Sequence, residues 1–247
     1  MYFDIDSILT RAKQASVTSI INICSDSMAH SRGLSLQKRY PWIHNSGGTH
    51  PHDTNKMGKE EYAYFEKAAL SKELIAIGEI GLDYYHGHSP KDIQIEYMKK
   101  YIGLAIEHNL PVIFHCREAF ADLFAICDAY FANSLGRVIV HCFTGSLEEA
   151  MGVLDRGWYL SISGIVTFKK SDWLRAIVSK IPLSSLLLET DCPYLSPGKY
   201  RGKRNEPAWI IETAKVCAEL KQCSLEEVAI ATSYNTKKIF RIEKKIG

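Results

Sequence analysis

The sequence predicts an α/β protein with parallel strands, built as a TIM (β/α)₈-type barrel. Seven short apolar runs recur along the 247 residues, and longer amphipathic stretches lie between them. The runs are almost entirely apolar and do not alternate with polar residues, which is typical of strands covered on both faces. A length of about 250 residues is also usual for a barrel of this kind.

Each predicted element follows from a local pattern of this type. The predicted strands are residues 17–24, 42–47, 74–80, 111–114, 137–141, 158–163 and 186–189. The predicted helices are residues 5–13, 93–108, 119–131, 146–155, 171–180, 207–221 and 224–242. Two of these helices have favourable starts, since Pro207 suits a first turn and Ser224 with Glu227 forms a capping-box pattern.

The N-terminal end departs from the eightfold pattern. The chain opens on the helical pattern of residues 5–13, so the first strand of a barrel has no counterpart. Two arrangements are open: a sheet of seven strands, or an eight-stranded barrel that lacks its first strand. The second arrangement leaves two unpaired sheet edges.

The composition is that of an ordinary soluble globular protein, with 46% hydrophobic and 23% charged residues. The formal net charge of +2 excludes a strongly basic nucleic-acid coat protein, but not an enzyme with a local basic patch. No linker or change of composition divides the chain. We therefore expect a single domain over residues 1–247 that is N-terminally incomplete.

The sequence also predicts where the protein resides. No apolar run approaches the roughly 18–20 residues that cross a bilayer, and the N-terminus lacks the apolar core of a signal peptide. The seven cysteines are odd in number and show no C-x-x-C spacing, so neither a disulfide framework nor a zinc knuckle is indicated. These features favour a cytoplasmic protein with reduced thiols. They do not indicate whether the protein is a monomer or an oligomer.

Side chains able to bind metal follow or end the predicted strands. They are His50, Glu79, His115, His141 and Asp191. Because the carboxyl ends of parallel strands meet at one rim of the fold, we expect these groups to lie close together. Imidazole and carboxylate suit Zn²⁺, Mn²⁺ or Fe²⁺. Cys116 and Cys142 directly follow two of the histidines, so we expect them to pack on the opposite face.

Six motifs in order lead to a known family. They are G-x-H-P-H, G-E-I-G-L-D-Y-Y, H-C-R, H-C-F-T-G, E-T-D-C-P-Y-L and R-N-E-P. Each would be a weak signal alone, but together they cover almost the whole chain. The sequence resembles the TatD family of metal-dependent deoxyribonucleases, within the amidohydrolase-like barrels.

The resemblance implies a function and a set of site residues. It implies hydrolysis of phosphodiester bonds in DNA, with 3′–5′ exonuclease activity on single strands or 3′ ends. It implies one or two divalent ions per chain (Mg²⁺, Mn²⁺ or Zn²⁺), held by Glu79, His115, His141 and Asp191. Asp191 would also orient or deprotonate the attacking water, and His50 would contact the substrate.

One feature of the family is missing from this sequence. Most relatives carry an H-x-H pair on the first strand, and the pair has no counterpart here. A start codon placed too far downstream or a truncated chain explains this better than a degenerate relative, because the other motifs are all present. His86 and His88 also form an H-x-H, but a solvated turn is the simpler interpretation of that segment.

Basic residues near the motifs suggest how a phosphate would be held. Arg117 follows His115 by two residues, so it projects to the same side and can pair with a phosphate or with a neighbouring carboxylate. The loop with Lys199, Arg201, Lys203 and Arg204 is either a solvated charge run or a track for a nucleic-acid backbone. His50, Arg117 and Arg204 are the predicted substrate contacts.

Two other functions are open on this sequence. An amidohydrolase-type enzyme acting on an amide or ester would be expected to show a carboxylated lysine or an intact H-x-H, and neither is evident. A catalytically impaired relative that binds metal or nucleic acid is supported mainly by the missing first strand.

Overall fold

The computed structural model describes residues 4–131 and 137–242, and these residues form two compact units. The first unit consists of the described residues 19–131, 137–141 and 155–158, and the second consists of the remaining described residues. The division does not test the predicted single domain, which stays a prediction. No described helix is both long enough and apolar enough to span a membrane.

Seven strands alternate with helices along the described chain, as the sequence predicts. The strands are β1 Ile20–Cys24, β2 Ile43–Gly47, β3 Ala76–Asp83, β4 Val112–Arg117, β5 Val138–Val140, β6 Tyr159–Ile162 and β7 Leu186–Leu188. The helices are α1 Ile5–Gln14, α2 Ser27–Arg39, α3 Thr54–Leu70, α4 Lys91–Glu107, α5 Phe120–Tyr130, α6 Leu147–Asp155, α7 Asp172–Lys180, α8 Ile210–Lys221 and α9 Leu225–Phe240.

In the first unit, β1 to β5 pair in chain order and all pairs are parallel. Their apolar side chains form the core, in which Ile80, Leu82 and Phe114 are almost fully buried. Helices α2 and α3 were not among the predicted helices. Helix α2 begins where the Asp26 side chain accepts a hydrogen bond from the Ala29 amide at 2.7 Å.

Strand β3 is longer than predicted and has an irregular register against β4. The register shifts between Ile77 and Ile80, then continues to the C-terminal end of β3. Gly78 and Gly81 have φ of 148° and 136°, and a Cβ at Gly78 would lie 2.7 Å from the Ile113 carbonyl oxygen. The predicted strand ended at residue 80. The chain continues to pair with β4 through Gly81, because glycine has no Cβ and tolerates the close approach of the neighbouring strand. Residues 79–83 therefore belong to the strand.

In the second unit, β6 pairs in parallel with β7. The predicted capping box of α9 is confirmed, since the Ser224 hydroxyl accepts from the Glu227 amide at 3.1 Å and Glu227 accepts from the Ser224 amide at 2.8 Å. The predicted helix 207–221 starts instead as the 3-10 turn Pro207–Trp209, and α8 follows it.

Candidate metal centre

Three of the four predicted ligands lie together in the first unit. Glu79 is carried by β3, His115 by β4, and His141 directly follows β5. The Glu79 Oε1 atom lies 2.9 Å from His115 Nδ1 and 2.7 Å from His141 Nε2. The His141 amide donates to the Phe114 carbonyl at 2.9 Å, which fixes the end of β5 beside β4. The register of neighbouring parallel strands thus brings the three side chains to one point.

The contacts of His115 show why a cation fits this point. Its Nδ1 faces Glu79 Oε1 and its Nε2 faces Asp83 Oδ2, both at 2.9 Å. A neutral imidazole carries one N–H, so only one of these contacts can be a hydrogen bond. A second proton or a positive ion must stabilise the other. Two nitrogens and a carboxylate oxygen, with a position left open, are the donor set of many catalytic zinc sites.

The charges at this point are consistent with an ionised carboxylate. Burial works to raise the pKa of Glu79, but the nearby His141 and the hydrogen bonds from His115 and His141 hold it well below its usual range. Burial works to lower the pKa of His115, but hydrogen bonds to Asp83 and Glu79 raise it overall. Both carboxylates therefore favour the protonated form of His115.

Asp83 is a completely buried carboxylate at the end of β3. Its Oδ2 atom lies 2.9 Å from His115 Nε2, 2.8 Å from His52 Nε2 and 2.9 Å from His86 Nδ1. Its Oδ1 atom accepts the amides of Tyr85 at 3.1 Å and His86 at 2.8 Å. Burial opposes ionisation, but these hydrogen bonds, with that from His115 first, keep the pKa of Asp83 far below its usual range. Asp83 is therefore ionised and can accept hydrogen bonds from the facing imidazoles.

The sequence did not single out Asp83, His52 or His86 as site residues, and the His86 segment is an exposed turn, as predicted. The His86 side chain is 44% exposed, but its ring is held against Asp83, and its centroid lies 4.9 Å from that of His52. His52, Asp83 and His86 form a further group whose donor atoms lie within 4.8 Å of one another. The sequence held one signal for Asp83: it follows Glu79 by four residues, and residues at this spacing lie on the same face of a regular strand. The irregular register of β3 makes this rule unreliable here.

His50 lies beside these three predicted ligands, where its hydrogen bonds favour a donor role. Its Nε2 is 3.4 Å from both Glu79 Oε1 and His115 Nδ1. Its Nδ1 accepts the amide of His52 at 3.2 Å, so in the neutral ring the proton is on Nε2. An Nε2–H group can donate to a substrate oxygen.

The other predicted site residues are placed as follows. The Arg117 guanidinium, in the first unit, lies 5.0 Å from the centre of the Tyr85 ring. Asp191 and Arg204 belong to the second unit. Asp191 follows β7 with a left-handed φ of 55°, and Arg204 pairs with Asp4 at 3.3 Å. Their roles as ion ligand and phosphate contacts stay predictions.

The two cysteines beside the histidines differ from one another. Cys116 is buried, as expected. Cys142 lies after the end of β5 with a φ of 42° and is half-buried, and its thiol donates to the Ser163 hydroxyl at 3.3 Å. The expectation that strand alternation would turn Cys142 away does not apply, because residue 142 is in a turn.

The chain has close relatives of known family. It matches the family described as TatD related DNase over residues 1–241. The Bacillus subtilis protein YabD, an uncharacterized metal-dependent hydrolase, is 41% identical over 239 residues, covering 97% of this chain and 93% of YabD. The 3′-5′ ssDNA/RNA exonuclease TatD of Cronobacter turicensis is 34% identical, covering 96% of this chain and 92% of that protein.

A solved structure agrees with the sequence matches. The crystal structure of the TatD homolog YJJV from Escherichia coli K12 has a TM-score of 0.91 and 28% identity, covering 97% of this chain and 93% of that chain. The fold and the site thus define a metal-dependent hydrolase on a parallel α/β fold of the TIM-barrel type. The chain belongs to the TatD related DNase family, as its motifs predict.

Proposed function

We propose that this protein hydrolyses phosphodiester bonds in single-stranded DNA from the 3′ end, with the help of a divalent ion. The observation that carries the proposal is the convergence of Glu79, His115 and His141 on one point, with His115 placed between two carboxylates. The substrate class is supported by the relatives named as 3′-5′ ssDNA/RNA exonucleases.

Each side chain of the site has a defined task in this proposal. Glu79, His115 and His141 hold the ion, and Asp191 completes the set. When bound, the ion supplies Lewis-acid stabilisation of the charge that develops on the phosphate. Asp83 accepts a hydrogen bond from the Nε2–H of His115 and so leaves the Nδ1 lone pair available to the ion.

The remaining groups act on the phosphate and on water. The Nε2–H of His50 donates to a phosphate oxygen, and the Arg117 and Arg204 guanidinium groups pair with phosphate charge. Asp191 orients the attacking water and accepts its proton. The new bond joins the water oxygen to phosphorus while the bond to the leaving deoxyribose oxygen breaks, and that oxygen takes up a proton from solvent.

The test uses the ion-loaded protein and two substrates: single-stranded DNA labelled at the 5′ end, and bis(p-nitrophenyl) phosphate. We expect the labelled strand to shorten stepwise from its 3′ end, and Glu79→Gln and His115→Ala to reduce both activities to background. Glu60→Gln, an exposed carboxylate on α3, is the matched control and should act like the wild type.

Three outcomes would contradict the proposal. Full activity in Glu79→Gln would remove the site assignment. Ion binding without hydrolysis of either substrate would indicate an impaired relative, and hydrolysis of carboxylic esters or amides alone would indicate an amidohydrolase.

A further inference from the structure

A basic cleft in the second unit is not used by the proposed chemistry. Two loops form it: residues 164–170, which follow β6, and residues 197–201, which follow β7. The cleft has a volume of about 640 Å³. Its charged lining residues are Lys169, Lys170, Lys199, Arg201 and Glu212.

The charge of the cleft is strongly unbalanced. All four cationic residues are exposed. The single carboxylate of the lining belongs to Glu212, which is shared between two lysines. Glu212 Oε1 lies 2.9 Å from the Nζ of Lys215 on its own helix and 3.8 Å from the Nζ of Lys199. Glu212 therefore offsets little of the positive charge, and a cleft of one sign attracts anions.

The first loop is held in a fixed shape by its backbone contacts. The Arg175 guanidinium donates to the carbonyl oxygens of Val166 at 2.9 Å and Phe168 at 2.8 Å. The Thr167 hydroxyl donates to the Gly164 carbonyl at 2.6 Å. Lys169 and Lys170 are thus displayed from a rigid base, which lowers the entropic cost of binding.

The two loops are also joined to each other. The Gly198 amide donates to the Thr167 hydroxyl oxygen at 2.7 Å, and a Cβ at Gly198 would lie 2.7 Å from the Thr167 carbonyl oxygen. Glycine therefore permits the close approach. The Arg201 guanidinium lies 4.1 Å from the centre of the Phe168 ring, so the second loop places its cation directly on the first loop.

We propose that this cleft binds the sugar-phosphate backbone of a single-stranded nucleic acid. The proposal rests on the proposed function, because that function supplies a polyanionic substrate. Cations from two joined loops can neutralise successive phosphates, and Phe168, Pro197 and Val216 give the cleft an apolar lining for sugar and base faces. The cationic groups are exposed and suit phosphates, which carry no sequence information, so binding should show no sequence preference.

The cleft shares two residues with the basic loop that the sequence suggests as a track. Lys199 and Arg201 line the cleft, whereas Lys203 and Arg204 are not among the lining residues. Lys169 and Lys170 take their place, although they lie about thirty residues earlier in the chain.

The experiment measures binding of fluorescent oligothymidine in the presence of chelator, so that hydrolysis cannot occur. The test variant changes Lys169, Lys170, Lys199 and Arg201 to Gln. The control variant changes Lys13, Lys38, Lys67 and Lys180 to Gln. These four control residues are also exposed, so both variants lose four positive charges.

At about 50 mM salt, we expect the test variant to bind oligothymidine at least tenfold more weakly than the wild type does. The affinity of the control variant should stay close to that of the wild type. The salt dependence should flatten, since each lost phosphate contact on a single strand reduces the slope of log K against log salt by about 0.7. Replacing the same lysines by Arg should preserve binding. Oligoadenosine should show the same pattern as oligothymidine.

Equal affinities and slopes for the test and control variants would overturn the inference. So would binding of anionic phospholipid vesicles, but not of oligonucleotides, by the cleft. Hydrolysis of bis(p-nitrophenyl) phosphate separates the two proposals, because the test variant should retain it. A wild type that binds oligothymidine but hydrolyses neither substrate would contradict the proposed function and leave the cleft in place.

Discussion

His115 shows how one side chain can define a site. Both of its ring nitrogens face carboxylate oxygens at 2.9 Å, so the tautomer of the neutral ring depends on which carboxylate accepts its N–H hydrogen bond. Asp83 is held in a fixed position as an acceptor, because it is completely buried and its other oxygen accepts hydrogen bonds from two backbone amides. This leaves the Nδ1 of His115 toward Glu79 and His141. An outer carboxylate commonly fixes a metal-binding histidine in this way.

At the residue scale, Asp83→Asn should weaken ion binding by about 10- to 100-fold. The substitution removes the negative charge, and the amide presents only one acceptor oxygen to several imidazoles. Ion affinity can be measured by competition with a chelating dye, and the ring protons of His115 by ¹⁵N NMR, in which the Nε2–H tautomer should decrease. A merely structural role would leave that tautomer unchanged.

The control for this prediction is Asp92→Asn, an exposed carboxylate in the first turn of α4. Unchanged affinity and tautomer in Asp83→Asn would contradict the assignment. A second contradicting result would be a wild type that binds two ions and a His86→Ala variant that binds one. His52, Asp83 and His86 would then form an ion site, and Asp83 would be a ligand in it.

At the element scale, the R-N-E-P motif holds the second unit together. The Asn205 amide group donates to the carbonyl oxygens of Thr190 at 2.8 Å and Tyr194 at 2.6 Å. The turn that contains Asp191 lies between these two residues. Glu206 receives the Arg11 guanidinium of α1 in a two-point contact, with 2.6 Å to Nη2 and 2.8 Å to Nε. The motif is therefore explained by structure, since it fixes the turn after β7 and anchors α1.

We expect Asn205→Ala to destabilise the protein by about 1–3 kcal/mol, because it leaves carbonyl groups without their donor. Urea unfolding followed by circular dichroism measures this loss. Ion affinity should fall as well if Asp191 is a ligand, because its turn is no longer held. Asn55→Ala, at an exposed position of α3, is the control. Equal urea midpoints for the two variants would show that the Asn205 contacts contribute nothing.

At the scale of the whole molecule, ion binding should be linked to stability. An ion that binds only the folded chain stabilises it by about 2.7 kcal/mol when its concentration is one hundred times the dissociation constant. For a chain of this size that corresponds to roughly 5–11 °C in Tm. Glu79→Gln should lose the shift, because a carboxylate ligand is replaced by a neutral amide.

Differential scanning calorimetry with and without Mg²⁺, Mn²⁺ or Zn²⁺ measures this shift. Glu60→Gln should keep it. An equal rise of Tm in Glu79→Gln would show that the ions stabilise the protein at another place, and the proposed site would lose its thermodynamic support.

The sequence by itself determined the class of fold and most of its elements. Apolar runs and amphipathic periods are local patterns, so they predict the seven strands and the capping box of α9 without reference to the rest of the chain. Motif order was sufficient for the family. The sequence also placed Glu79, His115 and His141 at strand ends, because parallel strands share one rim.

The tertiary structure decided which side chains meet. Asp83 meets His52 and His86 only because β3 continues past its glycines to Asp83. No local periodicity in the sequence specifies this continuation. The basic cleft joins two loops about thirty residues apart, through a hydrogen bond from Gly198 to Thr167. Side-chain convergence depends on strand register and on the close approach of separate backbones. These are set by packing across the whole unit, and a linear pattern of residues does not specify them.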